Sequence, residues 1–185
     1  MTRTLFRNFD LVATMDTERR EIRGGSVLVD GNVIRAVSDG ALALDADRVI
    51  DGRGKILLPG FVNTHHHLYQ TRTRAWPGAV NAELFDWLRT LYPVWAELRD
   101  VDFHEAALVG CRELLRSGCT TTTDHQYLFP RDASPKLIDI TIEAAREAGC
   151  AQVAVVNGGF KAHRREADVA FESLGELTEH LRSII

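Results

Sequence analysis

Cysteine, methionine and proline are scarce in this chain: three, two and five residues out of 185. Cys111, Cys119 and Cys150 form an odd set without CxxC spacing, which argues against a disulfide framework and against a thiolate zinc site. They read as small buried apolar residues. Long hydrophobic runs are missing too. No span of 18 apolar residues occurs, and the opening MTRTLFRNFDLVATMD has no signal-peptide core. A cytoplasmic protein with no membrane partner is the expectation. Positive charge is not in excess: 22 Lys and Arg stand against 26 Asp and Glu. With no basic stripe, nucleic acid is excluded as a partner. No internal repeat or low-complexity linker interrupts the chain. The remainder is 45% apolar and 26% charged residues, the composition of a globular protein able to bury a sizeable core.

Residues 1–58 read as short strands forming a small β-domain. In SVLVDGNVIRAVS two Val/Ile-rich runs flank Asp30-Gly31, a turn suited to a tight hairpin. From residue 59 the rhythm changes. ILLPGFVNT is an apolar run of strand length. NAELFDWLRTLYPVWAEL carries Leu84, Leu88, Leu91 and Trp95 at helical spacing, and DFHEAALVGCRELLRSG is a second helix closed by Gly118. CTTTTDHQY is β-branched and reads as a strand. SPKLIDITIEAAREAG is a helix with Ser134 as N-cap, Pro135 at its first position and Gly149 at its end. CAQVAVVNGG is another strand, and ESLGELTEHLRSII an amphipathic helix. Strands alternating with helices imply βαβ units and a parallel sheet over residues 59–185.

The chemistry concentrates in GFVNTHHHLYQ. On a strand, successive side chains point to opposite faces, so His65 and His67 share one face and His66 points away. Such a pair at the C-terminal end of a strand is a candidate for two ligands of one divalent ion, and this is the end where parallel α/β folds build their sites. His66 is a neighbour, either supporting a ligand or packing between strand and helix. Asp124 and His125 end the next strand at the same end of the sheet; either they take a role near substrate, or Asp124 caps the following turn and His125 lines it. His104-Glu105 lacks the second histidine of an HExxH site, and the H-x-E…P-C-x-x-C pattern of cytidine-type zinc deaminases is absent. His163 and His180 read as surface residues.

The stretch LLPGFVNTHHHLYQTRTRAWPGAVNAELFDWL resembles the amidohydrolase superfamily, in particular the branch of 8-oxoguanine deaminase and hydroxyatrazine ethylaminohydrolase. VIDGRGKILLPG is similar to that family's N-terminal β-sandwich segment, and ELLRSGCTTTTDHQYLFP to its second barrel strand with the entry helix. The resemblance covers roughly residues 5–150. It implies an α/β fold, a (β/α)8 TIM barrel of which about the first three βα units are present, preceded by the sandwich segment. It implies His65 and His67 as ligands of one divalent ion, zinc before iron. It implies hydrolytic deamination of a purine-like heteroaromatic ring, such as 8-oxoguanine, by metal-activated water. Gln70 matches the family's YQ and is a candidate contact to the substrate's polar edge. Trp76 is a candidate pocket wall, His125 a third candidate for substrate, and Arg74 either a site residue or an ion-pair partner. The same chemistry would serve dealkylamination or dechlorination of a triazine ring. A non-catalytic remnant acting as a binding or oligomerising module is the reading of a different class.

The resemblance also sets what to expect beyond these residues. The family's acid/base groups and remaining ligands come from later barrel strands, and a TIM barrel needs roughly 250 residues. The chain is therefore expected to be a fragment without catalytic residues of its own, inactive in isolation. Its full-length form is expected to be a homo-oligomer with a small heteroaromatic substrate.

Overall fold

A computed structural model describes residues 2–150 and the backbone of residues 152–162. The chain divides into two compact units, Met1–Pro59 and Gly60–Ile185.

The first unit holds seven short strands in two sheets. Strands β1 (Arg3–Arg7), β4 (Ser26–Asp30), β5 (Val33–Ser38) and β6 (Arg48–Asp51) form one sheet in the order β5-β4-β1-β6. Strands β2 (Leu11–Ala13), β3 (Glu21–Ile22) and β7 (Ile56–Leu57) form the other. Alternation of apolar residues gives both sheets an inner face. Phe9, Val12 and Val27 make a shared core, with Ile22, Val37 and Leu57 packed against it. The hairpin expected around Asp30-Gly31 is present one residue further on. Asp30 pairs with Val33, so Gly31-Asn32 is the two-residue loop, and Gly31 takes the positive φ of 61° that it requires.

The second unit is built on a three-stranded parallel sheet, β10-β9-β8, from β8 (Phe61–Asn63), β9 (Cys119–Pro130) and β10 (Gln152–Ala162). Between β8 and β9 run a 3-10 helix (Leu68–Thr73), α1 (Leu84–Trp95) and α2 (Asp100–Arg116). Between β9 and β10 runs α3 (Leu137–Ala148). The expected run ILLPGFVNT is not one strand. Pro59 lacks a backbone donor and Gly60 lies hard against Thr120, so the run breaks into β7 of the first unit and β8 of the second. Gly118 and Gly149 adopt φ of 87° and 84° after α2 and α3, where a side chain would be strained. Helix α3 begins at Leu137, two residues later than expected. The Ser134 hydroxyl is used in a local turn, accepting the Lys136 N–H at 3.1 Å. The expected terminal helix, with His180, and the loop with His163 lie outside the described residues.

Strand β9 alternates strictly from Thr122 to Pro130. Thr122, Asp124, Gln126 and Leu128 are buried, while Thr123, His125, Tyr127 and Phe129 are half-buried on the opposite face. The buried face carries the helices. Leu68, Ala107, Cys111, Ala144 and Ala145 pack there, joining the 3-10 helix to α2 and α3. Of the cysteines, Cys111 and Cys119 are buried and free, whereas Cys150 is partly exposed. A second cluster, of Tyr69, Leu91, Trp95, Phe103, Leu128 and Leu137, closes the layer toward α1. Asp124 sits in this apolar layer with no exposure, its Oδ1 accepting the Leu68 N–H at 2.8 Å. Its Oδ2 has no hydrogen-bond partner among the described residues. Burial pushes its carboxyl up to about 6, a shift only partly offset by that one hydrogen bond.

This packing can be probed at two positions. A Cβ on Gly110 of α2 would meet Leu68 Cδ2 at 2.8 Å. Gly110→Ala should cost about 1–3 kcal/mol in denaturant unfolding despite the better helix propensity of alanine. For Asp124 the folded-state pKa is raised above the unfolded value, so ionising it opposes folding. The penalty is absent below about pH 4, grows as pH rises through about 6, and reaches on the order of 3 kcal/mol above that. Asp124→Asn should therefore unfold at higher denaturant than the native chain at pH 7.5, and the gap should close at pH 4. An equal gap at both pH values would contradict it.

Candidate metal centre and pocket

His65, His66 and His67 lie just past the C-terminal end of β8, in neither strand nor helix. The expected reason for their pairing, strand alternation, does not apply here, yet two of the rings converge. His65 Nε2 and His67 Nε2 are 3.1 Å apart, with the ring planes at 89°. The chain is held in this form from β9. The His125 N–H donates to the His66 carbonyl at 2.7 Å, which continues the β8–β9 pairing beyond β8 itself. His67 Nδ1–H donates to the His125 carbonyl at 2.8 Å.

That last bond fixes a tautomer. With the proton on Nδ1, His67 Nε2 carries a lone pair, and His65 Nε2–H donates to it. Burial lowers the pKa of His67, against a smaller raising effect of its bond to His125, so its imidazole is neutral at pH 7. A neutral ring with Nδ1–H tied to a carbonyl is the form in which histidine offers Nε2 to a metal, and His65 would join it as a ligand by shifting its proton from Nε2 to Nδ1. Two imidazole nitrogens on one tetrahedral zinc, each at about 2.05 Å, stand roughly 3.3 Å apart. The observed separation fits this, so the pair suits two positions of one ion. Among the described residues no group of three His, Cys, Asp or Glu side chains is placed to hold a metal.

A cavity of about 470 Å³ opens beside the pair. His65, His67 and Gln70 give it a polar side, and Trp76, Ala79 and Trp87 an apolar one. Gln70 Nε2 donates to the hydroxyls of Tyr127 at 3.0 Å and Tyr69 at 3.3 Å. Both amide protons are thereby spent within the protein, and the Oε1 acceptor is what Gln70 has left to offer. Burial raises the pKa of both tyrosines, so the hydroxyls stay protonated. The Tyr127 ring also packs edge-on to His67, with centroids 5.0 Å apart. Trp76 is 41% exposed at the rim. It follows Ala75, which has a positive φ of 56°, a conformation that costs a non-glycine residue roughly 1 kcal/mol. Arg74 lines the cavity and also makes a two-pronged ion pair with Glu113 at 2.8 and 2.9 Å.

Of the residues singled out in the sequence, the structure groups His65, His66, His67, Gln70, Arg74 and Trp76 around one cavity. The His125 ring lies 4.3 Å from that of His65, centroid to centroid. Asp124 is not with them. It faces the helix layer, because neighbours on a strand point to opposite sides. His66 is half-buried beside Gly110 of α2, its Nδ1 without a partner among the described residues. His104 reaches Glu147 at 3.3 Å, away from the cavity. Sequence reasoning missed Tyr69, Tyr127 and Trp87. Alternation along β9 was a usable signal for Tyr127, which must share a face with His125. The pairing of Gln70 with a residue 57 positions away has no local signal.

The sequence profile of the Amidohydrolase family matches residues 56–182. The 8-oxoguanine deaminase of Pseudomonas aeruginosa is 43% identical over 150 residues, which is 80% of this chain and 33% of that protein. Hydroxydechloroatrazine ethylaminohydrolase of Pseudomonas sp. strain ADP is 33% identical over 160 residues, again 80% of this chain and 33% of its own length. The chain thus spans about a third of these curated relatives. Among solved structures, a triazine hydrolase from Arthrobacter aurescens superposes with a TM-score of 0.79 at 30% identity, covering all of this chain and 42% of that one. The atrazine chlorohydrolase of Arthrobacter aurescens TC1, complexed with zinc, gives 0.77 at 30% identity over 98% of this chain and 42% of that one. A histidine pair past a parallel strand, inside a segment matched by one profile across more than half the chain, leads to one assignment: the chain belongs to the amidohydrolase family.

Proposed function

We propose that this chain carries the first two metal ligands and one wall of the substrate pocket of a metal-dependent aminohydrolase acting on a purine-like ring. The observation that carries the reading is the convergence of His65 Nε2 and His67 Nε2 at 3.1 Å beside an aromatic-walled cavity. On this reading the second unit supplies the first three βα units of a (β/α)8 barrel and the first unit its β-sandwich segment. The acid/base groups and the remaining ligands lie outside the chain.

His65 and His67 would hold one divalent ion, zinc before iron, and the zinc-complexed relative supports that choice. A bound divalent ion supplies Lewis-acid activation of water at neutral pH. The protein's own contribution is positioning. The His125 carbonyl keeps His67 in the Nδ1–H tautomer, which would leave its Nε2 to hold the ion. Trp76 and Trp87 offer flat apolar walls that exclude water from a planar ring. Gln70, with both N–H groups bound to tyrosines, accepts a hydrogen bond from an N–H of the ring edge. His125 stands on the same face of β9 as Tyr127 and reaches toward substrate. Similarity to 8-oxoguanine deaminase at 43% identity supports deamination of such a ring. A triazine ring losing an alkylamine or chloride is the second reading, supported by the superposition on triazine hydrolase. The complete enzyme is proposed to be a cytoplasmic homo-oligomer.

Two measurements test this. Zinc titrated into the purified, tag-free chain should bind weakly at one site, and the double variant His65→Asn/His67→Asn should bind none by calorimetry. Equal binding by both proteins would overturn the assignment. The chain alone should release no ammonia from 8-oxoguanine. Fusing residues 1–150 to the remainder of the Pseudomonas aeruginosa relative should give ammonia release that His67→Asn lowers at least about 100-fold. A fusion active only on triazines would transfer the proposal to the second reading.

A further inference from the structure

Residues 64–67 belong to no regular element, and the β8–β9 pairing is carried into them by the bond from the His125 N–H to the His66 carbonyl. His67 is the N-cap of the 3-10 helix, with φ −129° and ψ 84°, and its side chain makes no capping hydrogen bond. An N-cap side chain ordinarily turns back to satisfy an amide of its own helix. Here the Gln70 N–H goes to the His67 carbonyl at 3.0 Å, and the preceding Leu68 N–H, which a side chain at His67 would not reach as a cap, is taken by Asp124 Oδ1 at 2.8 Å, from 56 residues away. Asp124 has no solvent exposure and is fixed on β9, the strand that also supplies the two backbone bonds to His66 and His67.

We propose that Asp124 is a positioning residue for the histidine pair: by accepting the Leu68 N–H it sets the His67–Leu68 peptide plane, and with it the backbone from which the His67 imidazole reaches the His125 carbonyl and turns its Nε2 toward His65. The function of the pair rests on the metal-binding reading above, but the placement of the ring does not. A carboxylate with one oxygen unpartnered among the described residues, in an apolar layer, is a costly way to terminate a short helix. Its location beneath the histidines accounts for that cost. Arg72, Arg74 and Thr73 anchor the same 3-10 helix further along, through Asp102, Glu113 and Trp95, and none of them touches the His67–Leu68 peptide.

The test compares the full chain with Asp124→Asn, which keeps an acceptor for Leu68 N–H, and with Asp124→Leu, which removes it. If Asp124→Leu fails to fold by circular dichroism, Asp124→Ala takes its place. Two readouts are needed, neither of which simple destabilisation of a folded protein would move. Long-range proton–nitrogen NMR of the metal-free imidazoles should show the His67 Nδ1–H tautomer in the native chain and in Asp124→Asn, and a tautomer mixture in the variant without an acceptor. Cobalt(II) affinity should stay within about threefold in Asp124→Asn and fall about 10- to 100-fold in the other. A folded acceptor-less variant that keeps both the tautomer and the affinity would overturn the proposal, as would Asp124→Asn behaving like it. If His65→Asn/His67→Asn binds cobalt as well as the native chain does, the metal reading fails, and the imidazole spectra alone decide the role of Asp124.

Discussion

Three hydrogen bonds clasp the end of β8 to the middle of β9, and the candidate site depends on them. His125 N–H reaches the His66 carbonyl, His67 Nδ1–H reaches the His125 carbonyl, and Leu68 N–H reaches the Asp124 carboxylate, at 2.7, 2.8 and 2.8 Å. Together they impose strand-like pairing on a segment that is not a strand. One dipeptide, Asp124-His125, supplies every partner. Because its two side chains leave β9 on opposite faces, one half of the dipeptide serves the helix layer and the other half serves the cavity.

The 3-10 helix after the histidines is anchored just as firmly. Its Leu68 and Tyr69 are buried in two different apolar clusters. Trp95 donates its indole N–H to Thr73 at 2.8 Å, and Arg72 bridges Asp102 and Glu105 of α2. The Arg72–Glu105 and Arg74–Glu113 ion pairs are exposed, and such pairs contribute little energy individually. Their effect is geometric, fixing the turn of chain that enters the cavity rim. Polar groups at the site are similarly committed before any ligand arrives. The Gln70 amide is oriented by two tyrosine hydroxyls, and His67 is held neutral in one tautomer. A pocket whose donors and acceptors are assigned in advance discriminates by leaving mismatched partners unsatisfied.

Helical spacing and glycine punctuation made α1, α2, α3 and the two helix ends at Gly118 and Gly149 legible in the sequence, because apolar burial at a 3.6-residue period is a local property. The strand CTTTTDHQY was legible for its β-branched residues, although β9 runs on to Pro130. The histidine pair was legible as a pair, but for a reason the structure replaces. Alternation along β8 stops at Asn63, and the rings meet through bonds supplied by residues almost 60 positions later. ILLPGFVNT looked like one strand because hydropathy does not register the missing donor of Pro59 or the contact of Gly60 with Thr120. The Gln70–Tyr127 bond and the Leu68–Asp124 bond were not legible, since each joins residues whose proximity exists only once the parallel sheet has formed.

Every described residue lining the cavity falls between His65 and Trp87. The histidine pair, polar edge and aromatic wall are thus written in one uninterrupted stretch of sequence. Such a stretch can pass between relatives as a single cassette. An exchange of residues 65–87 would carry the histidine geometry and the cavity's aromatic wall together, provided the recipient keeps an Asp-His dipeptide on the neighbouring strand to receive it.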